Sequence, residues 1–217
     1  KRAWQKGPLW PVCISAQRIL VHERVFDRFA ALLAEQVRAL VVGDPSEEST
    51  DVGPMISLEA AIRAEEWVAE AVADGAEWVC GGQRDGQFLT PAVLTRPSPQ
   101  SSLVCREAFA PVAVMIPYAT LGEALHIANN TEYGLQAGLF TASLDVALAA
   151  AQRLDVGGVR VSHASSSRLH SMPYAAITQS GPGPRRAPHP GTERAGSPPS
   201  APTPPPPSHP RLSHPRP

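Results

Sequence analysis

The chain has 217 residues, of which 43% are hydrophobic, enough for one globular domain with an apolar core. Its formal net charge of -1, from 19 basic and 20 acidic residues, excludes the strongly basic surface typical of nucleic-acid-binding domains. No apolar run approaches the roughly 20 residues that span a bilayer, and no secretory signal precedes the 3 cysteines. We therefore expect a cytoplasmic protein with no membrane segment and no disulfide framework.

Proline is concentrated at the C-terminal end, where residues 182–217 hold 14 of the 24 prolines. Residues 204–207 are consecutive prolines, and such a segment buries too little apolar surface to offset the entropy of ordering it. We predict three parts: an irregular N-terminal segment (1–11), a folded domain (12–183) and a disordered Pro-rich tail (184–217).

The folded part begins with a predicted strand over residues 14–22, which has Ile19, Leu20 and Val21 at its centre. Residues 23–42 follow with helical spacing, and Gly43 ends that helix. The predicted buried face of this helix consists of Val25, Phe29, Leu32, Leu33, Gln36, Val37 and Leu40.

Next comes a polar loop, after which Ser57 is a predicted N-cap for a helix over residues 58–73. Residues 77–80 have the composition of a short strand that ends at a Gly-Gly turn. Residues 88–94 are predicted to be extended, with an interruption at Pro91.

Residues 112–118 are apolar without strict alternation, which favours a strand covered on both faces. A helix over 120–129, a strand over 135–141, a helix over 144–154 and a strand over 159–162 follow. This alternation of strands and helices predicts an α/β domain with a mostly parallel sheet.

The residue types alone leave the chemistry open. Cys13 stands between apolar neighbours, where a lone cysteine is more often a small buried hydrophobe than a nucleophile. Glu107 by itself reads as a solvated loop carboxylate, and Phe109 as a core aromatic. The spacing of histidines and cysteines, His163 and His170 included, does not fit a zinc site, so we expect no metal.

Five segments taken together resemble the aldehyde dehydrogenase superfamily in order and spacing over residues 12–183. They are VCISAQRI (12–19), GDP with TDVGPMIS (43–45 and 50–57), CREAFAP (105–111), NTEYGL with FT (130–135 and 140–141) and MPY with SG (172–174 and 180–181). The third is similar to the family's E-x-F-G-P motif, and the chain as a whole resembles the family's catalytic domain.

The resemblance implies NAD(P)-dependent oxidation of a small aldehyde to a carboxylic acid. Cys13 matches the family's nucleophile, whose thiolate forms a thiohemiacetal and then a thioester that water hydrolyses. Glu107 matches the carboxylate that binds the nicotinamide ribose of NAD or NADP, and Phe109 matches the aromatic residue near the nicotinamide. The family is homo-oligomeric.

The sequence also departs from the family pattern. Trp10 and Pro11 replace a Gly-Gln pair, Ala110 replaces the glycine of E-x-F-G-P, and Ser162 replaces an asparagine. No residues match the family's Rossmann domain, its general-base glutamate or its oxyanion asparagine, and the tail stands where the oligomerisation strand follows. We therefore expect this fragment to be inactive by itself. The alternative is a non-catalytic remnant or interaction protein whose tail binds polyproline-recognition domains.

Overall fold

The described part of the chain forms an α/β fold within one compact unit. The computed structural model describes residues 15–165, 175–180 and 183–184. The predictions for the irregular N-terminal segment, for Cys13, for the MPY motif and for the tail after residue 184 lie outside the described residues.

Strands and helices alternate along the chain. The strands are β1 (Arg18–His22), β2 (Glu77–Cys80), β3 (Arg84–Asp85), β4 (Phe88–Leu89), β5 (Ala92–Thr95), β6 (Val112–Tyr118), β7 (Tyr133–Gly134), β8 (Ala137–Leu139), β9 (Val159–Val161), β10 (Ala175–Thr178) and β11 (Gly183–Pro184). The α-helices are α1 (Phe26–Arg38), α2 (Leu58–Ala73), α3 (Ser102–Cys105), α4 (Leu121–Asn129) and α5 (Leu144–Arg153).

The main sheet has the strand order β1-β6-β5-β2. β6 pairs in parallel with β1 and with β5, and β2 pairs antiparallel to β5 at one edge. β8 and β9 form a second parallel pair. The prediction of an α/β domain with a mostly parallel sheet is confirmed.

Helix α1 covers one face of the main sheet, and helices α2 and α3 cover the other. Each central strand contributes side chains to both faces, because alternate residues along a strand point to opposite sides. Leu94 and Val114 belong to the core cluster that α2 and α3 complete. Val93 and Met115 belong to the cluster that α1 completes. β6 is therefore buried on both faces along its first four residues, as its unbroken apolar sequence predicts.

The predicted buried face of the first helix is only partly correct: Val37 is buried and Leu33 packs against the core, but other predicted members are exposed. A 3-10 turn over Glu23–Val25 precedes α1, and the helix buries Phe26, Ala34 and Val37, whereas Phe29 and Leu32 are exposed. The stripe that packs against the sheet runs through Phe26, Ala30, Ala34 and Val37, and this helical spacing turns Phe29 and Leu32 toward solvent.

The same helix also ends earlier than predicted. α1 stops at Arg38, and Val42 makes an isolated parallel bridge to Val52 instead of a last helical turn. The backbone N–H of Gly43 donates to the carbonyl oxygen of Val52 at 3.0 Å. The polar loop thus folds back toward the end of α1, and its backbone pairs with the residues that follow the helix.

Other element boundaries follow the sequence closely. α2 and β2 have the predicted bounds, and Ser57 Oγ accepts from the backbone N–H of Ala60 at 3.2 Å. The segment predicted to be extended over 88–94 contains β4 and most of β5, on either side of Pro91. β3 and the four-residue α3 were not predicted, because elements this short have no periodicity. None of the helices in the described part has the length and hydrophobicity that a bilayer crossing needs.

Candidate functional site

Glu107 and Phe109 lie in the loop between α3 and β6, on the surface. The Glu107 side chain is exposed, and no hydrogen bond or ion pair joins it to any other described residue. Phe109 is 39% exposed, which overturns its interpretation as a core aromatic from the residue type alone. The two side chains alternate with buried alanines, so the loop presents an unpaired carboxylate and an aromatic ring to solvent.

The backbone of this loop is unusual at Phe109, whose φ is 47°. A non-glycine residue in the left-handed region costs about 1 kcal/mol or more, and such strain concentrates at functional sites. Ala110, by contrast, is outside that region and is buried at 5% exposure. The alanine that replaces the family's glycine is therefore accommodated here without backbone strain.

Gln17 ties this loop to the segment that leads into β1. Its Nε2 donates to the carbonyl oxygens of Leu103 at 2.8 Å and Arg106 at 2.7 Å. Its Oε1 accepts from the backbone N–H of Ala108 at 2.9 Å. The backbone oxygen of Gln17 also accepts from the N–H of Val114 in β6 at 2.8 Å. The loop therefore has a fixed position relative to the sheet.

Helix α3, which precedes the loop, is held in place by a contact with α2 and by its own N-cap. The Ser102 hydroxyl donates to the Glu70 carboxylate of α2 at 3.0 Å. Ser101 Oγ accepts from the backbone N–H of Leu103 at 3.3 Å and caps α3. These contacts make the short α3 a rigid support for the loop that carries Glu107.

Arg18, directly after Gln17, connects β1 to α4. Its guanidinium donates to the carbonyl oxygens of Ile127 at 3.0 Å and Ala128 at 2.9 Å. A cation at the C-terminal end of a helix is favourable both for the open carbonyls and for the helix dipole. Gln17 and Arg18 are functional candidates that sequence reasoning missed, although two consecutive long polar residues inside the predicted strand 14–22 were a signal that could have been used.

The NTEYGL segment is joined to the residues of the late motif. β7 pairs antiparallel with β10, with Tyr133 opposite Thr178. The backbone N–H of Gly134 donates to Ser180 Oγ at 2.9 Å, and the N–H of Gln179 donates to the Glu132 oxygen at 3.0 Å. The NTEYGL segment and Ser180 of the late motif are thus neighbours in space.

The two described cysteines differ in their surroundings. Cys80 is buried, and desolvation raises the pKa of its thiol above the ordinary value. Cys105 is exposed, and its thiol donates to the Pro99 oxygen at 3.2 Å. Within the described ranges, no group of three or more His, Cys, Asp or Glu side chains could hold a metal ion.

A cavity of about 190 Å³ lies away from this loop, between α1 and the β2 end of the sheet. Arg38, Cys80, Gly81 and Thr90 are among its lining residues. Neither Gln17, Glu107 nor Phe109 lines it. The cavity is therefore separate from the loop that carries the sequence-predicted site residues.

Comparison with known proteins agrees with this architecture. The model of the aldehyde dehydrogenase family matches residues 11–194. The chain is 45% identical over 172 residues to 3-sulfolactaldehyde dehydrogenase from Priestia aryabhattai, covering 79% of this chain and 36% of the relative's length. It spans little more than a third of the length of the curated relatives that it matches.

Two solved structures also have a fold similar to that of this chain. Aldehyde dehydrogenase 21 from Physcomitrella patens, in complex with succinate, matches with a TM-score of 0.77 and 39% identity, over 80% of this chain and 36% of that protein. Glyceraldehyde-3-phosphate dehydrogenase from Methanocaldococcus jannaschii, complexed with NADP, matches with a TM-score of 0.76 and 38% identity, over 80% and 38% of the two chains.

Proposed function

The chain belongs to the aldehyde dehydrogenase family, and we propose that it carries the catalytic cysteine and part of the cofactor site of an NAD(P)-dependent aldehyde oxidation. The single observation that supports this best is the loop in which an exposed, unpaired Glu107 and an exposed Phe109 are held rigidly beside β1. An exposed carboxylate with both oxygens free suits a pair of ribose hydroxyls.

The proposed chemistry begins at Cys13. Its thiolate attacks the aldehyde carbonyl to give a thiohemiacetal, and cysteine suits this step because it is intrinsically nucleophilic. The backbone N–H of Cys13 stabilises the oxyanion that develops. NAD or NADP, held by Glu107 and Phe109, would supply the hydride acceptor for the reacting carbon. The thioester that remains on Cys13 is then hydrolysed by water to the carboxylic acid.

Glu107 and Phe109 contribute binding and orientation in this proposal. The Glu107 carboxylate accepts hydrogen bonds from the two ribose hydroxyls, and the Phe109 ring packs near the nicotinamide end. The relatives named above act on, or were solved with, small aldehydes or acids and NADP, which supports a small aldehyde as substrate. The 217-residue chain by itself is proposed to be inactive, because it matches little more than a third of the length of its relatives.

Glu107→Gln tests the cofactor role in the protein expressed at its full native length. Losing one charged hydrogen-bonding group costs roughly 1.5–3 kcal/mol, so we expect the KM for NAD(P) to rise by about tenfold or more. Glu48→Gln is the matched control, since Glu48 is also an exposed loop carboxylate without a side-chain partner in the described structure. Equal KM values for the Glu107→Gln variant and the unmodified enzyme would contradict the role of Glu107.

A further inference from the structure

We infer that Gln17 is a positioning residue for Glu107, because a single side-chain amide holds both of the peptide groups that flank it. The carbonyl of Arg106 belongs to the peptide group before the Glu107 Cα, and the N–H of Ala108 belongs to the one after it. With both peptide planes held, the φ and ψ angles of Glu107 are fixed, and so is the direction of its Cα–Cβ bond. This inference rests on the proposed role of Glu107 in binding the ribose.

The chemistry of the amide is specific to this task. Nε2 offers two hydrogens, and both are used, one by Leu103 and one by Arg106. Oε1 accepts from Ala108. The reverse orientation of the amide would set Oε1 against two carbonyl oxygens, so the hydrogen-bond network allows only one arrangement. A glutamate, a lysine or a leucine at this position could not make all three bonds.

Gln17 acts alone in this respect among the described residues. No other described side chain hydrogen-bonds to the backbone of residues 106–108, and the Glu107 side chain has no partner that would orient it from outside. The backbone of Gln17 is itself anchored on β6 through Val114. The side chain of Gln17 therefore fixes the direction of the Glu107 side chain relative to the main sheet.

Gln17→Glu is the sharpest test, because it keeps the size of the side chain and replaces the donor by an acceptor. The new carboxylate would face the carbonyl oxygens of Leu103 and Arg106 and repel them. Gln36→Glu is the matched control, since Gln36 is exposed on α1 and has no side-chain hydrogen bond in the described structure. Gln17→Met, of similar length but without hydrogen bonds, repeats the test without introducing a charge.

The measurements are made on the protein at its full native length. Amide hydrogen exchange at Ala108 should become at least tenfold faster in Gln17→Met, which lacks the acceptor oxygen, and stay unchanged in Gln36→Glu. The KM for NAD(P) should rise by about tenfold, equivalent to about 1.4 kcal/mol, with a smaller change in kcat. Hydrolysis of an activated ester by Cys13, which needs no cofactor, should stay within twofold of the unmodified protein in the Gln36→Glu control.

A double-mutant cycle separates positioning from a merely structural role. If Gln17 acts through Glu107, Gln17→Glu should raise the KM for NAD(P) in the unmodified protein but not in the Glu107→Gln background. Fully additive effects, or a KM that neither Gln17 variant changes despite faster exchange at Ala108 in Gln17→Met, overturn the inference and leave the proposed function intact. A KM unchanged by Glu107→Gln itself overturns both.

Discussion

The guanidinium of Arg18 closes the C-terminal end of α4 by donating to the carbonyl oxygen of Ile127 at 3.0 Å. A second bond reaches Ala128 at 2.9 Å. Desolvation lowers the pKa of Arg18 from its ordinary value, but a guanidinium stays charged at any pH the protein experiences. The residue directly after the proposed positioning glutamine thus fastens the same segment to a second helix.

Replacing Arg18 by lysine should destabilise the fold, because an ammonium cannot reproduce the two-pronged contact with consecutive carbonyls. We expect a loss of about 1–2 kcal/mol in the free energy of unfolding, measured by urea denaturation. Arg28→Lys is the matched control, since Arg28 is exposed on α1 without a partner among the described residues. Equal effects of the two substitutions would contradict this account of Arg18.

Two glycines with positive φ should respond differently to alanine. An added Cβ at Gly81 would overlap the carbonyl oxygen of Pro91, whereas at Gly86 it would meet nothing within 4 Å. We expect Gly86→Ala to cost about 1 kcal/mol, from the left-handed backbone alone, and Gly81→Ala to cost more than about 3 kcal/mol. Thermal unfolding of the two variants measures the difference, and similar melting temperatures would refute the close packing of Gly81 against Pro91.

Ser162 has a φ of 60°, and it stands where the family has an asparagine. Glycine tolerates this conformation without steric cost, so Ser162→Gly should stabilise the protein by about 0.5–1 kcal/mol. Ser49 is an exposed serine outside the left-handed region, and Ser49→Gly should be neutral or destabilising. Chemical denaturation of both variants decides the matter, and a loss of stability in Ser162→Gly would show that its conformation is not strained.

Cys80 gives the fold a dependence on alkaline pH. Because burial raises its pKa in the folded state, the neutral thiol contributes stability that is fully present below the ordinary pKa of 9.0. That contribution is lost as the pH rises from 9.0 through the raised folded-state pKa. The fall in stability between pH 8 and pH 10.5 should therefore be smaller in Cys80→Ala than in the unmodified protein.

Cys105→Ala serves as the control for this pH dependence, since Cys105 is exposed. It should retain the full alkaline loss of stability, measured as the free energy of unfolding at each pH. An identical pH profile for Cys80→Ala and the unmodified protein would contradict the account of Cys80.

The sequence predicted those parts of the fold whose residues carry their own signal. α2 was predictable because Ser57 marks its start and alanines recur at helical spacing, and β6 was predictable because its apolar run is long. The buried face of α1 was predicted only in part, because large apolar residues such as Phe29 and Leu32 also recur at helical spacing on its exposed side.

Some residues of the candidate site could likewise be predicted from the sequence, and others could not. Glu107 and Phe109 were found through the family motif, and their exposure in the loop fits the predicted roles. Gln17 was missed because its three partners are backbone groups at least 86 residues away along the chain. No local pattern in a sequence identifies a contact over such a separation.

The most direct test of the proposed chemistry is to trap the acyl intermediate. The protein at its full native length is mixed with an aldehyde and NAD(P), quenched in acid, digested and examined by mass spectrometry for thioester adducts. The account predicts an acyl group on Cys13 that is absent from Cys80 and Cys105 and does not form without the cofactor. Formation of the carboxylic acid with an adduct on a different residue, or with Cys13→Ser as active as the unmodified protein, would contradict it.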